Sequence, residues 1–314
     1  MKRIVFDNTL GQKEAIEQIK TGEGRVDLVT ELSPIDTLRV AQSPFATVAK
    51  SRGSFTSVFG RLNMRKADSP WGDVRLRQAL NYAINRPDLI RYGANGNGVT
   101  VPALLPVQSF GHDPKLLPYA FDPARARQLL REAGHPRGLS VTLIAPQSLE
   151  VQATVVGKML EAVGFTVERQ ILGPVAYARK TLMSHLDEPA TQQRWDIALT
   201  ASYDYDWANT PLYSVYYWFA LGGADAWVTE QPELRRLYEQ SLRTVDRDRQ
   251  QVLIRQMEQH TREQAYFLFL YNPIKLYAVN RAVAFVPYVT TVLNLAETSV
   301  TDQHWSVRKG GPKP

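Results

Sequence analysis

The residues with the clearest chemical potential form one aromatic and acidic segment of the chain. Its rings and polar groups are Tyr203, Asp204, Tyr205, Asp206, Trp207, Asn209, Tyr213, Tyr216, Tyr217, Trp218 and Phe219. A carboxylate can anchor an ammonium group, and neighbouring rings offer apolar surface and attract cations. The segment follows an apolar run at 195–199, and ligands of open α/β sheets bind beyond the carboxyl ends of strands. A ligand site and a ring cluster that fills the core fit this composition equally well, and Asp204 and Asp206 equally fit solvated turn residues.

Patterns typical of catalytic or metal sites are missing from the sequence. There is no cysteine, no G-x-S-x-G motif and no H-E-x-x-H pair among the five scattered histidines. The glycine-rich stretch at 93–98 follows a predicted helix and lacks the Gly-Lys-Ser/Thr ending of a phosphate-binding loop. We therefore expect no catalytic residues, no metal site and no cofactor, and a protein that is not an enzyme.

Composition indicates an ordinary globular chain. Of 314 residues, 44% are hydrophobic and 22% charged, and the net charge of +6 is spread along the chain without a long basic run. A nucleic-acid partner is therefore not expected. No stretch approaches the 18 consecutive apolar residues of a membrane span, and no apolar region follows the basic N-terminus, so we expect no export signal in the chain as given.

Short apolar runs alternate with amphipathic segments, which predicts α/β architecture. Strands are predicted at 4–6, 26–30, 46–50, 56–62, 141–145, 165–169 and 195–199, an apolar run follows the last helices at 265–271, and β segments and a tail are predicted from residue 275. Helices are predicted at 12–21, 73–84, 122–133, 149–163, 175–183, 233–243 and 246–263, with a short helix that Ser33 caps. The polar passage at 93–118 is predicted to be irregular.

Five segments resemble the family 5 extracellular solute-binding proteins, which serve dipeptide, oligopeptide and nickel importers. They are Gly-Glu-Gly-Arg-Val-Asp-Leu-Val at 22–29, Phe-Gly-Arg-Leu-Asn at 59–63, the helix at 73–86 that reads DVRLRQALNYAINR, the FDPARARQLLREAG stretch at 121–134, and the region 246–265. They occur in the family's order and extend over residues 1–290. The segment at 59–63 resembles the strand that crosses the family's hinge.

The resemblance implies a type II, cluster C-like periplasmic-binding-protein fold with one complete lobe and part of a second. Residues 1–61 are expected in the partial lobe one, 62–275 in lobe two, and 276–314 in strands that return to lobe one and a tail. Members of the family carry a long N-terminal section before the point that resembles Met1. Without it we expect weakened ligand affinity, because less ligand surface is desolvated.

The family's ligand motif reads approximately G-W-x-x-D-x-x-D-P. By resemblance, Tyr203 replaces its Trp, Asp206 matches its first Asp, Asn209 replaces the second, and the proline is displaced by one position to Pro211. In peptide-binding members the first Asp holds the ligand's α-ammonium group. The resemblance therefore implies Asp206 as the leading ligand residue. Further ligand-binding candidates are Tyr203, Trp207, Asn209 and Tyr205.

The function implied is binding of a solute, foremost a small peptide, between two lobes and without chemical change, for delivery to the membrane permease of an ABC-type importer. Family members also take nickel chelates, haem, opines and sugars. The parent protein is expected in the periplasm or at the cell surface. The alternative is a cytoplasmic sensor or interaction module that reuses the same fold.

Overall fold

A computed structural model describes residues 3–21, 23, 25–204, 216–229 and 231–308. The chain divides into two compact units. The smaller unit combines residues 1–54 and 274–314, and the larger unit is the continuous stretch 55–273.

Helices and strands are interspersed along the described residues, with α1 and α2 in the smaller unit and α3 to α10 in the larger unit. The helices are α1 Gln12–Ile19, α2 Thr37–Ala41, α3 Val74–Ala83, α4 Arg86–Gly93, α5 Pro123–Glu132, α6 Glu150–Glu161, α7 Pro174–Thr181, α8 Trp218–Ala220, α9 Pro232–Arg243 and α10 Arg247–Glu263. Short 3-10 turns occur at Pro34–Asp36, Pro70–Gly72, Gln147–Leu149, Met183–His185, Ala190–Gln192 and Leu295–Glu297.

The strands belong to one large sheet, one small sheet and one short pair. They are β1 Leu28–Val29, β2 Ala46–Lys50, β3 Thr56–Leu62, β4 Gly98–Thr100, β5 Leu139–Pro146, β6 Phe165–Leu172, β7 Ile197–Tyr203, β8 Phe267–Pro273, β9 Leu276–Asn280, β10 Val283–Ala284 and β11 Ser299–Val300.

The sheet of the larger unit has, among the described strands, the order β4–β8–β3–β7–β5–β6. β5 is parallel to both β6 and β7. β3 is antiparallel to β7 and to β8, and β4 is antiparallel to β8. Consequently β5, β6, β7 and β8 run in one direction, and their carboxyl ends lie at the same edge of the sheet.

Side chains of this sheet alternate between two apolar clusters, as the pleat of a strand requires. Ile197 and Leu199 of β7 belong to the large cluster, which also contains buried residues of α3, α4, α5, α6, α9 and α10. Ala198 between them belongs to a smaller cluster with Trp195 and Trp227. Apolar side chains thus cover both faces of the central strands, which explains why their sequences are nearly continuous apolar runs.

Helix starts follow the capping residues that the sequence indicates. The carboxylates of Asp73, Asp122 and Asp246 accept hydrogen bonds of 2.8 to 2.9 Å from main-chain amides two or three residues later. The predicted cap at Ser33 is wrong, since its side chain makes no capping hydrogen bond and a 3-10 turn follows instead.

The smaller unit contains a three-stranded antiparallel sheet in the order β1–β9–β2. Ile16 and Ile19 of α1 and Val40 of α2 are buried against this sheet. Near the C-terminus the ring of His304 is buried, and its Nε2 lies 2.9 Å from Asp27 Oδ1. This histidine therefore has a structural partner.

Two regions differ from their local predictions. Residues 4–6 form no strand; these three apolar side chains are exposed and pack against no sheet. The passage 93–118 includes β4, and α4 precedes it although no helix was predicted there. The structure divides the chain before β3, and the assignment of residues 1–61, 62–275 and 276–314 to the lobes of a capture protein stays a prediction.

Candidate ligand-binding site

The candidate segment begins at the carboxyl end of β7. Tyr203 is the last residue of that strand and lies opposite Thr56 of β3. Its half-buried ring meets the ring of Phe55 edge-on, with 6.4 Å between centroids. The carboxyl ends of β5, β6 and β8 lie at the same sheet edge, which is where α/β sheets commonly bind ligands.

Asp204, the next residue, is buried and not a solvated turn residue. Its main-chain amide donates a 2.7 Å hydrogen bond to the carbonyl of Phe55, which extends the pairing of β7 with β3 by one residue. Its carboxylate Oδ2 accepts a hydrogen bond from Ser109 Oγ. Only 1% of Asp204 is exposed. The side chain therefore lies inside the larger unit and not in solvent.

The aromatic residues at 216–219 fill the core, as the second interpretation of the sequence held. Tyr216 and Phe219 are buried in the large apolar cluster. The ring of Tyr217 stacks on that of Tyr238, with centroids 6.4 Å apart. For this end of the segment, the rings supply packing area to the interior.

A buried carboxylate receives the hydroxyl of Tyr216. Glu258, fully buried in α10, accepts a hydrogen bond from Tyr216 Oη through Oε1 and a 3.2 Å hydrogen bond from the Leu105 amide through Oε2. Burial raises the pKa of Glu258 to about 7, the hydrogen bonds from Tyr216 and the backbone counteract part of the rise, and the charge of Asp204 adds to it. Glu258 thus titrates near neutral pH.

We call residues 104–111 the support loop. Val107 donates its amide to Asn272 Oδ1 at 3.1 Å, and the amide nitrogen of Asn272 donates to Ser57 Oγ at 2.8 Å. The hydroxyl of Ser57 in turn donates to the carbonyl of Leu104 at 2.7 Å. These bonds join the support loop to β3 and β8 beside the start of the candidate segment.

Glycine is required at one end of the support loop. Gly111 has a φ of +91°, a region that residues with a Cβ rarely adopt, and a Cβ built there would lie 2.3 Å from Ile254 Cγ2 in α10. The backbone of the loop therefore rests directly on the helix that carries Glu258.

A second buried polar cluster holds the C-terminal end of the segment. Arg61 in β3 forms an ion pair with Asp225 and donates a 2.7 Å hydrogen bond to the hydroxyl of Tyr177. The indole nitrogen of Trp218 donates to Asp225 Oδ2 at 3.0 Å. Trp218 is thereby fixed to the central strand through an acidic side chain.

Of the predicted ligand residues, the structure describes one. Tyr203 lies at the sheet edge, as stated above. Tyr205, Asp206, Trp207 and Asn209 lie outside the described residues, so their roles stay predictions.

Sequence reasoning missed Ser109 and Glu258, which hold the flanks of the segment. For Ser109 the sequence contains no signal, because the passage has no periodicity. For Glu258 there is one: Ile254, Met257 and Thr261 share its spacing on the buried stripe of α10, and a carboxylate on such a stripe must find partners.

Metal chemistry has no support in the part of the chain that the structure describes. No group of three or more His, Asp or Glu side chains there could hold a metal ion. Among the same residues, no helix combines the length and apolar character needed to cross a bilayer.

The chain belongs to the bacterial extracellular solute-binding proteins, family 5. The model of that family's middle region matches residues 1–225, most of the chain. This confirms the resemblance inferred from the five segments. The family consists of solute-binding proteins and not of enzymes, so the expectation of a non-enzymatic protein is confirmed as well.

Curated relatives are glutathione-binding proteins. The chain is 27% identical over 212 residues to the glutathione-binding protein GsiB of Pectobacterium atrosepticum, which covers 67% of this chain and 41% of that protein. It is 28% identical over 165 residues to GsiB of Escherichia coli K12, covering 50% of this chain and 31% of the relative. The chain thus spans less than half the length of these relatives.

Solved structures confirm the fold, which is that of the type II periplasmic binding proteins. An ABC transporter substrate-binding protein, CtaP of Listeria monocytogenes, aligns with a TM-score of 0.78 and 20% identity, over 93% of this chain and 59% of that one. A dipeptide-binding protein from Pseudoalteromonas sp. SM9913 in complex with Met-Leu aligns with a TM-score of 0.75 and 20% identity, over 94% and 57%.

Proposed function

We propose that this protein binds a short peptide, or a peptide-like solute with a free α-ammonium group, for an ABC-type importer. Binding is reversible and makes or breaks no covalent bond. The protein containing this chain acts outside the cytoplasmic membrane, in the periplasm or at the cell surface, and hands its ligand to a membrane permease.

One observation carries the proposal. The segment that resembles the family's ligand motif begins with Tyr203 at the carboxyl edge of the large sheet, and hydrogen bonds fix Asp204 and Tyr216 on the two sides of the predicted ligand residues 205–209. A carboxylate that is held in place before binding loses less conformational entropy when it binds an ammonium group, which favours affinity. The family match and the glutathione-binding relatives support a ligand of peptide character.

In this proposal Asp206 forms a charge-assisted hydrogen bond with the α-ammonium group of the ligand. Tyr203, Tyr205 and Trp207 provide aromatic surface, and Asn209 provides hydrogen bonds for the peptide backbone. Glutathione and ordinary dipeptides both have such an ammonium group, so the proposed site accepts either class.

Isothermal titration of the full chain with glutathione, Met-Leu and N-acetyl-Met-Leu tests the proposal. We expect at least one of the free peptides to bind and the acetylated peptide to fail. Asp206→Asn should weaken binding at least about tenfold, since a hydrogen bond to a charged group contributes roughly 1.5–3 kcal/mol. The matched control Asp248→Asn changes an exposed carboxylate in the first turn of α10 and should leave affinity unchanged.

Two results contradict the proposal. Binding of acetylated and free peptide with equal affinity would exclude recognition of the ammonium group. Unchanged affinity in Asp206→Asn would remove that carboxylate from the site even if peptides bind.

A further inference from the structure

We propose that Glu258 is a positioning residue for the ligand site, and that it holds both flanks of the candidate segment through a proton-dependent hydrogen-bond network. The inference deepens the proposed function and rests on it in one respect, namely that the segment contacts the ligand. Glu258 itself contacts no ligand in this scheme.

The geometry joins the two flanks through one loop. Tyr216, on the C-terminal side of the predicted ligand residues 205–209, donates its hydroxyl to Glu258. Asp204, on the N-terminal side of the same residues, accepts the hydroxyl of Ser109. Leu105, four residues before Ser109 in the support loop, donates its amide to Glu258 at 3.2 Å. A change in the bonding of Glu258 therefore reaches Tyr216 directly and Asp204 through the support loop.

The support loop cannot absorb such a change by itself. Asn272 accepts from the amide of Val107 and ties it to β3. At the far end Gly111 lies against Ile254, one turn before Glu258 in α10. Because packed interiors transmit displacements, the loop and α10 must move together.

The charged and titratable groups around Glu258 come from several elements. Tyr216 precedes α8 and Asp204 follows β7, and the charge of Asp204 raises the pKa of Glu258 in addition to the larger effect of burial. His112 follows the support loop and bonds by its amide to the carbonyl of Ser109. Burial lowers the pKa of His112, with weaker effects of Asp113 and Arg255. The titrations of Glu258 and of His112 can be separated by substituting each residue in turn.

Linkage fixes the direction of the effect. When the network is closed, burial holds the pKa of Glu258 at about 7, whereas a side chain released to water has the ordinary value of 4.5. In the opened network Glu258 therefore loses its proton at a lower pH than in the closed network, so rising pH favours opening. Between pH 5.5 and 8.5 the opening equilibrium should shift by about 30-fold, with most of the change below pH 7.

Hydrogen exchange without any ligand is the first test. After correction for the intrinsic pH dependence, protection of the amides of Leu105 and Asp204 should fall by about 30-fold from pH 5.5 to 8.5. Glu258→Gln should flatten this profile. Glu263→Gln, an exposed glutamate on the same helix, and His112→Asn should keep it. A flat profile in the unmodified protein overturns the inference and requires no variant to fold.

Proton exchange on ligand binding is the second test. Titration with Met-Leu at pH 7 in buffers of different ionisation enthalpy should show uptake of a fraction of a proton, because a ligand that tightens the network raises the pKa of Glu258 further. The uptake should fall in Glu258→Gln to the small part that comes from the ligand's own α-amino group, whose ordinary pKa of about 8 leaves it partly unprotonated at pH 7, and it should persist in full in Glu263→Gln. Equal uptake in all three proteins would exclude coupling between Glu258 and the ligand.

The two tests separate the two proposals. If neither Met-Leu nor glutathione binds, the proposed peptide function fails, while the exchange profile still decides whether Glu258 holds the flanks. If a peptide binds and the exchange profile is flat, the peptide function stands and the positioning role is refuted. Tyr216→Phe removes one donor to Glu258 and should increase hydrogen exchange at the amides of both flanks. If Glu258 had only a local role, the increase would be confined to residue 216.

Discussion

Two of the polar networks inside the larger unit differ in their response to burial, one around Arg86 at the start of α4 and one around Glu258 in α10. The guanidinium of Arg86 is buried and donates to the carbonyls of Phe269 and Tyr119 and to Asn81 Oδ1, each at 3.0 Å. Its partners are neutral oxygens of backbone and amide groups. The carboxylate of Glu258 receives an amide and a phenol in the same way.

Burial shifts the two groups by a similar amount and with very different consequences. It lowers the pKa of Arg86 from 12.5 to about 10, so the cation persists at every physiological pH. It raises the pKa of Glu258 from 4.5 to about 7, within the physiological range. The comparison teaches that a buried arginine makes a constant scaffold, whereas a buried glutamate in an equally satisfied network becomes sensitive to pH.

The motif that identifies the family belongs to the constant network. Asn81, in α3 within the family motif at 73–86, donates to the carbonyl of Phe267 at 2.9 Å and accepts from the amide of Phe269 at 3.1 Å. Arg77 of the same helix donates to the carbonyls of Trp71 and Gln264. These polar residues fix α3 and α4 to β8, so the motif reports the scaffold and not the ligand.

The largest effect is expected from Arg86→Leu. The substitution leaves several buried carbonyl groups without donors, and we expect a loss of about 4 kcal/mol in the free energy of unfolding. Urea denaturation followed by circular dichroism measures it. The control Arg91→Ala, an exposed arginine of α4, should stay within about 0.5 kcal/mol of the parent. A small loss for Arg86→Leu would show that the scaffold does not depend on this cation.

Gly111→Ala should follow, with a loss of about 3 kcal/mol. The added methyl group would overlap Ile254 and the backbone would be strained at positive φ. Gly96→Ala is a matched control, since Gly96 has a φ of +74° with nothing near its Cβ position and should show backbone strain of about 1 kcal/mol alone. Equal losses of stability in the two variants would mean that the support loop can move away from Ile254 without destabilising the protein.

The pH dependence of Glu258 comes next. Its pKa is raised in the folded state, so the folded protein binds more protons than the unfolded chain, and stability falls as pH rises from about 4.5 to about 7. Between pH 5 and 8 the free energy of unfolding of the parent should fall by about 2 kcal/mol more than that of Glu258→Gln. Thermal unfolding of both proteins across this range gives the difference. Parallel curves for the two would contradict the shifted pKa, and Glu263→Gln should follow the parent.

Ser109→Ala should have the smallest effect, about 1.5 kcal/mol in the free energy of unfolding, because it removes one hydrogen bond to the carboxylate of Asp204. This variant tests whether the networks around Glu258 and Arg86 are independent. Hydrogen exchange should increase at Asp204 and remain unchanged at Phe269, which belongs to the Arg86 network. An increase at both positions would show that the two networks act as one.

The sequence predicted much of the larger unit correctly. Asp73, Asp122 and Asp246 mark helix starts that the structure confirms, and the range of β3 was predicted as 56–62. Local signals sufficed because a capping carboxylate and an apolar run act within a few residues. The strand predicted at 4–6 failed for the complementary reason: an apolar triplet forms a strand only where a neighbouring strand is available.

For the candidate site, too, local signals left alternatives open and tertiary contacts decided between them. Composition left two interpretations of the aromatic segment, and tertiary packing decided between them for Tyr216 and Phe219, which are in the core. Asp204 fitted a solvated turn equally well in sequence, and only the approach of Ser109 from 95 positions earlier explains its burial.

By itself, then, the sequence determined the family, the α/β class and the position of the candidate segment after a buried strand. It could do so because motifs and periodicity are local properties of the chain. Only the tertiary structure decided which carboxylates are buried and what bonds them, since the pKa of Glu258 depends on partners from the support loop and from Tyr216, far from it along the chain. The apolar stripe of α10 indicates that Glu258 is buried, but the groups that set its pKa come from distant parts of the chain, which no local pattern of residues encodes.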